Sequence, residues 1–307
     1  MGVEPGGPAE FYKQVRASGL VRRLLELARD EDLGSPQRDL TSELMCAPAS
    51  TLRCAVVARE RAILCGLALA EDLFEVFGCA HEVDWQCACS DGDPVEAGRH
   101  VATIGGPARS VLALERTLLN LLGRLSGVAS LTHSYRQAIG AHDRAQLCDT
   151  RKTTPGLRVL EKYAVVCGGG TSHRMGLHDA VLIKDNHLAG VATDAIAAYL
   201  TDVARRARQE SRCTFVEVEV DCLEQFEQVL RVERGLIDMV LLDNFPVHEL
   251  ASAVQMRDER GSGVLLEASG GVRLETIGAI ASTGVDRISV GALTHSAVSV
   301  DFGLDAL

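Results

Sequence analysis

Leu20, Leu24, Leu25 and Leu27 are interleaved with Arg22, Arg23, Glu26 and Arg29. This is the spacing of an amphipathic helix with one apolar face. Gly34, Ser35 and Pro36 break the pattern. Residues 53–59 (RCAVVAR) read as a strand, and 68–77 as a helix stopped by Gly78. Between Asp91 and Arg109 the chain is punctuated by Gly92, Pro94, Gly98, Gly105, Gly106 and Pro107. Such regular turn signals predict short strands joined by tight turns. A Leu-rich helix is predicted over 112–125, and residues 1–10, rich in Gly and Pro, read as a loose tail. The first part of the chain is thus a small α+β module.

After this helix the pattern changes to a rhythm of short apolar runs separated by helical or loop segments. The runs are 145–148, 180–183, 215–220, 239–242, 264–266 and 288–290. Several are near-continuous Val, Ile and Leu, as parallel strands covered on both faces would be. Strands alternating with helices argue for βα units, and a barrel is the natural closure.

The ends of these runs carry the candidate chemistry. In a parallel barrel the C-terminal ends of all strands open on one face, where active sites sit. Asp149, Arg151 and Lys152 follow the first run, Lys184, Asp185 and Asn186 the second. Glu217 and Glu219 lie in the third, and Asp243 and Asn244 follow the fourth. Glu267, Ser269, Gly270 and Gly271 follow the fifth, and Gly291 the sixth. Any one of these is what an ordinary loop start looks like. Six in a row, cations early, carboxylates in the middle and glycines late, point to one polar pocket.

Arg151 and Lys152 together offer a planar fork and a point charge, suited to carboxylate and phosphate. Residues 168–177 (GGGTSHRMGL) place His173 and Arg174 after a glycine run, at a predicted helix start that favours an anion. Neither standard nucleotide-loop pattern is present there. Glu219 and Asp243 are oxygen donors of the kind that hold Mg²⁺ beside phosphates. Ser269, Gly270, Gly271 and Gly291 allow the backbone to approach a phosphate. Asp185, Asn186 and His187 point in different directions and carry no metal reading, and the histidines lack zinc spacing.

Composition narrows the class. A net charge of -11 argues against nucleic acid or an anionic membrane as main partner. No apolar stretch is long and uncharged enough to span a bilayer, since 111–128 contains Glu115, Arg116 and Arg124. Ten scattered cysteines without a CxxC pair read as reduced, mostly buried small hydrophobes of a cytoplasmic protein.

At these residues the chain resembles the quinolinate phosphoribosyltransferase family. The resemblance runs through short blocks in order: 31–34 with 39–42 (EDLG and DLTS), 105–109 (GGPAR), 115–127 (ERTLLNLLGRLSG) and 150–156 (TRKTTPG). It continues through 168–177, 181–187 (VLIKDNH), 216–220 (VEVEV), 241–245 (LLDNF), 267–271 (EASGG) and 289–293 (SVGAL). Two positions depart from the family pattern, Arg38 before Asp39 and Ser172 in place of a common Asn.

The resemblance implies an N-terminal α+β sandwich-like domain over 11–117 and an incomplete α/β (TIM-like) barrel over 118–293, with 294–307 packing back on the first. It implies a decarboxylating transfer in NAD biosynthesis, from quinolinate and phosphoribosyl pyrophosphate to nicotinate mononucleotide, with Mg²⁺ as cofactor. On the matching positions Arg151, His173, Arg174 and Lys184 would bind the quinolinate carboxylates. Lys152, Glu219 and Asp243 would handle the ribose pyrophosphate and the metal. Ser269, Gly270, Gly271 and Gly291 would cradle the 5′-phosphate, helped by His295. Arg116 would reach into the site of a neighbouring subunit of a homodimer. Rival readings are a paralogue on the same scaffold acting in molybdenum utilisation, an aldolase with Lys184 as Schiff base, and a non-catalytic phosphoribosyl-ligand sensor.

Overall fold

The computed structural model describes residues 7–140 and 144–307. The N-terminal stretch contains helices α1 (Gly7–Ala17), α2 (Leu20–Leu33), α3 (Leu40–Met45) and α4 (Ala70–Phe77). It also contains strands β1 (Thr51–Ala58), β2 (Ala62–Ile63), β3 (Asp84–Cys87), β4 (Pro94–Val95) and β5 (His100–Pro107). The long helix α5 (Ala108–Ile139) follows. Then come β6 (Gln146–Cys148), α6 (Arg158–Cys167), β7 (Val181–Ile183), α7 (Asp185–Leu188) and α8 (Ile196–Ala207). After these come β8 (Val216–Val220), α9 (Leu223–Val229), β9 (Met239–Asp243) and α10 (Val247–Glu259). The chain closes with β10 (Leu265–Ser269), α11 (Ile277–Ala281), β11 (Arg287–Ser289), α12 (Ala292–His295) and β12 (Phe302–Ala306).

These elements form two compact units. One holds the described residues up to His133 together with Lys152–Gly169 and Ala292–Leu307. The other holds Ser134–Arg151 and Gly170–Gly291. In the first unit, an antiparallel sheet runs in the order β12-β1-β5-β3. Cys54 of β1 faces Ala306 on one side and Ile104 on the other. The last strand of the chain therefore completes the sheet begun near residue 50. The core beneath it is apolar, with Ala55, Val56, Val101, Ile104, Leu114 and Leu122 fully shielded from solvent.

The second unit is a six-stranded, all-parallel sheet in the order β6-β11-β10-β9-β8-β7. Its two edge strands, β6 and β7, are not paired with each other, so the barrel is open. Thr171 bridges Cys148 in parallel fashion beside β6. Strand side chains alternate between faces. In-register pairing puts Val216, Val218, Val220, Val240, Leu242, Leu266, Ala268 and Ile288 on the outer face. All are apolar and at most 2% exposed. The inner face carries Glu217, Glu219, Leu241, Asp243, Glu267, Ser269, Arg287 and Ser289. Among the described residues no helix is long and apolar enough to cross a membrane.

The structure differs from the sequence reading in three places. Helix α1 begins at Gly7, so residues 7–10 of the expected tail are helical; Phe11, Tyr12 and Val15 bury its apolar face. The expected boundary at 117/118 falls inside α5, which stays helical across a run with no Pro; its Gly123 and Gly127 do not break it. The strands expected to be apolar on both faces have a charged inner row, because an open barrel interior can pair charges that a flat covered sheet cannot.

Leu266 lies in the middle of β10, on the outer row, with no exposed surface. Leu266→Ala is expected to lower unfolding free energy by about 2–5 kcal/mol while leaving the fold intact. Urea denaturation of the two proteins checks this.

Candidate active site

The inner row of the barrel is built around His173. Thr171 N–H donates to Leu147 O at 2.7 Å, which lays residues 171–173 alongside β6. His173 N–H then donates to Asp149 Oδ1 at 2.9 Å. These bonds aim the ring inward. Its Nε2 lies 3.0 Å from Glu217 Oε2 and 3.4 Å from Glu267 Oε1. Arg287 Nε donates to the other oxygen of Glu267 at 2.7 Å. Phe215 meets the ring edge-on, with centroids 5.4 Å apart. All four charged residues are buried. Neither Glu217 oxygen receives a well-aligned hydrogen bond, so its carboxylate is held by charge.

The electrostatics follow from this frame. Burial opposes a charge on His173, yet the carboxylates of Glu267 and Glu217 outweigh it and push its pKa from 6.5 up to about 10. Burial, joined by the charge of Glu267, pushes Glu217 upward. Burial also opposes ionisation of Glu267, but His173 and Arg287 together hold it down at about 2. His173 and Glu217 both shift toward keeping a proton between them. His173 Nδ1 accepts from Arg174 N–H at 2.8 Å, so the ring turns its Nε2–H toward the two carboxylates. His173, Glu217 and Glu267 have the donor types of a metal site and lie within 4.8 Å of one another. Arg287 sets a positive charge beside Glu267 in the same cluster.

The open end of the unit carries the expected cations and acids. Arg174 is 7% exposed and donates from Nη1 to Ala180 O at 3.3 Å. Burial, with the neighbouring Arg151 next in strength, draws its pKa below the ordinary guanidinium value. Lys184 Nζ lies 2.5 Å from Glu219 Oε2. An ammonium locked on a carboxylate is a poor nucleophile, which counts against a Schiff-base reading. Asp243 Oδ2 accepts from Asn244 Nδ2 at 2.7 Å. Asn244 itself adopts a left-handed φ of 56° and donates from N–H to Ser269 O at 2.8 Å. Gly270 has φ 89°, and a Cβ there would collide with the Asn244 side chain. Only glycine suits that position, so the ends of β9 and β10 are locked together.

The second unit thus unites Arg151, His173, Arg174, Lys184, Glu219, Asp243, Ser269, Gly270, Gly271 and Gly291 on strand ends or the segments that follow them. Lys152, Arg116 and His295 belong to the other unit. There, Lys152 O accepts from Thr294 Oγ1 at 2.7 Å. Arg116 has a side chain 66% exposed. His295 Nδ1 lies 2.8 Å from Ser296 Oγ. The helix start expected at His173 and Arg174 is absent: Thr171 bridges Cys148 of β6, and residues 172–174 form no regular element. An anion there meets side chains, not a helix terminus. Sequence reading left Glu217, Glu267 and Arg287 without roles. Their signal was charge at alternate positions within strands otherwise made of Val, Ile and Leu.

A raised His173 pKa stabilises the fold below the ordinary imidazole range, and that contribution is lost as pH rises through about 10. The lowered Glu267 pKa adds stability above the ordinary carboxylate range, lost as pH falls through about 2. Glu267→Gln is expected to bring the His173 titration midpoint down toward the ordinary imidazole range. Imidazole ¹⁵N NMR across pH 5–10 measures it; an unmoved midpoint removes Glu267 as its cause.

Two family descriptions match the chain: "Quinolinate phosphoribosyl transferase, N-terminal domain" over residues 39–126 and the corresponding C-terminal domain over 128–305. A nicotinate-nucleotide pyrophosphorylase [carboxylating] of Mycobacterium leprae is 44% identical over 87% of this chain and 90% of its own length. A probable one of Bacillus subtilis is 36% identical over 93% of both. The solved nicotinate-nucleotide pyrophosphorylase from Francisella tularensis superposes with a TM-score of 0.82 at 35% identity, covering 94% of this chain and 96% of that one. Two domain matches in sequence, near-full-length relatives and an open parallel barrel with a cationic rim place this chain in the quinolinate phosphoribosyltransferase family.

Proposed function

We propose that the protein joins quinolinate to the ribose of phosphoribosyl pyrophosphate, giving nicotinate mononucleotide, pyrophosphate and carbon dioxide, in NAD biosynthesis. The family match carries this reading, with both domain descriptions and near-full-length relatives behind it. The site supports it: Arg151, Arg174 and Lys184 lie in one unit on strand ends or the segments that follow them, a set of cations suited to a dicarboxylate.

On this reading Arg151, Arg174 and Lys184 clasp the two carboxylates. His173 fixes the segment from which Arg174 projects. Ser269, Gly270, Gly271 and Gly291, helped by His295, receive the 5′-phosphate, and Lys152 takes the pyrophosphate. Two partly shielded carboxylates on adjacent strands, Glu219 and Asp243, suit Mg²⁺, which keeps water and phosphate among its ligands. Bound there, Mg²⁺ would neutralise the leaving pyrophosphate. Glu219 and Asp243 also favour positive charge growing at the ribose carbon.

The chemistry runs in two parts. The pyridine nitrogen forms a bond to ribose C1 as the bond from C1 to the pyrophosphate oxygen breaks. The bond from C2 to its carboxylate then breaks, carbon dioxide leaves, and the electron pair stays on C2, where the adjacent positive ring nitrogen stabilises it until C2 takes up a proton; the nitrogen remains positive in the product. The protein's part is orientation and exclusion of water, for which a general base is not needed.

We also read the enzyme as a cytoplasmic homodimer in which Arg116 serves the neighbouring subunit's site. The exposed Arg116 side chain supports a partner role, and ten unbridged cysteines support a reducing compartment.

The purified protein should form nicotinate mononucleotide from quinolinate and phosphoribosyl pyrophosphate, lose activity on chelation of Mg²⁺, and turn over nicotinate far more slowly. A monocarboxylate gives the cations Arg151, Arg174 and Lys184 one carboxylate where quinolinate gives two, a loss on the order of a hundredfold or more in kcat/KM. Comparable rates with both acids refute the dicarboxylate reading. Arg116→Ala and Lys184→Ala should each abolish activity alone, and mixed after dissociation they should partly restore it. No recovery in mixed oligomers removes the shared site.

A further inference from the structure

Helix α5 carries the stretch 115–127 (ERTLLNLLGRLSG), most of which the reaction scheme leaves without a task. Within the first unit, its second half fastens two loops. Arg124 donates from Nη1 to Ala297 O at 2.7 Å and from Nη2 to Thr294 O and to Glu161 Oε1, the last at 2.6 Å. Glu161, with no exposed surface, also accepts from Thr154 N–H and Thr154 Oγ1, both at 2.9 Å. Thr294, equally buried, donates from Oγ1 to Lys152 O at 2.7 Å.

A second feature of the same helix points the same way. Val300 N–H donates to Gly123 O at 3.0 Å. A Cβ on Gly123 would stand 2.6 Å from Val300 O, and one on Gly127 would overlap Val298 O. The two glycines form a flat track on α5 along which the segment after α12 lies. No other residue lets the backbone come so close.

The bonds land at chosen places. Thr294 reaches the carbonyl of Lys152 itself, and Glu161 holds the residue two positions on. Arg124 holds carbonyls on both sides of His295. Each of the two basic residues is bracketed by contacts to its own backbone or its near neighbours, and every bracketing group except Arg124 is fully buried.

We infer that Arg124, Glu161 and Thr294 are positioning residues that set Lys152 and His295 for the phosphoribosyl pyrophosphate end of the substrate pair. This rests on the proposed function for the identity of the ligand. Lys152 has a long flexible stem, so its ammonium is only as well placed as its backbone. Misplacement of a binding group by about 1 Å is costly. The circuit therefore governs KM for phosphoribosyl pyrophosphate, while quinolinate, which Lys152 and His295 do not hold on the proposed reading, is little affected.

The test uses the full-length protein with Thr294→Val, which keeps shape but removes the hydroxyl, and Thr294→Ser, which restores it. Thr294→Val should raise KM for phosphoribosyl pyrophosphate about tenfold, the factor expected for one buried hydrogen bond, and leave KM for quinolinate within about twofold. Thr294→Ser should return it close to the parent value. Amide hydrogen exchange should quicken over 152–157 in Thr294→Val without global unfolding. Equal movement of both KM values, no movement of either, or unchanged exchange over 152–157 overturns the inference. If the parent protein makes no nicotinate mononucleotide, the proposed function fails, and the exchange experiment still decides whether the clamp exists.

Discussion

A carboxylate buried without a counter-charge is costly, and the barrel of this protein buries Asp149, Glu217 and Glu267 with no exposed surface, the two glutamates on its inner row. Glu217 and Glu267 face His173 and Arg287, which come from the segment beside β6 and from β11. Four elements are thus tied by one buried polar cluster. Removing any member leaves the others uncompensated, which is more damaging than never having built the cluster. What this arrangement secures is position. His173 cannot turn outward without stranding Glu217, so Arg174, the next residue, leaves the barrel at a fixed point.

The same logic explains the rim. Lys184 and Glu219 satisfy each other across β7 and β8, and Asn244 ties Asp243 to the end of β10. Each of these charges is met by a neighbour at a strand end. The outer row of Val, Leu, Ile and Ala supplies the apolar burial that makes such an interior tolerable. Charge inside and hydrophobic contact outside are two faces of the same strands, separated only by the two-residue period of the backbone.

Much of the architecture was legible because it rests on local signals. Five of the six apolar runs ended within one residue of the observed strands, and Gly34 and Gly78 stopped helices where expected. Arg151, Arg174, Lys184, Glu219 and Asp243 could be nominated because strand ends in a parallel barrel share one face, and all five lie in the second unit at strand ends or just after them. Three things were hidden. The fifth run stopped short of β10, because Glu267 and Ser269 look like loop and are strand. Helix α5 ran beyond the expected 125 to Ile139, since weakly periodic polar residues such as Ser130, Thr132 and Ser134 give no helical signal of their own. Arg124 and Glu161 carried no motif that could announce their bond.

The sequence by itself determined the order of elements, the parallel class of the barrel, the family and the residues with chemical capacity. Each follows from short-range spacing or from blocks of neighbouring residues. Tertiary structure alone decided which charges meet. His173 faces Glu217 and Glu267, Arg287 completes them, and Thr294 holds Lys152, all through partners far apart along the chain. Register between strands and the closeness of a glycine track set those meetings, and neither is a property of any local stretch. Electrostatic energy depends on distance in space and on burial, so the protonation of His173 could be read only after folding had placed it.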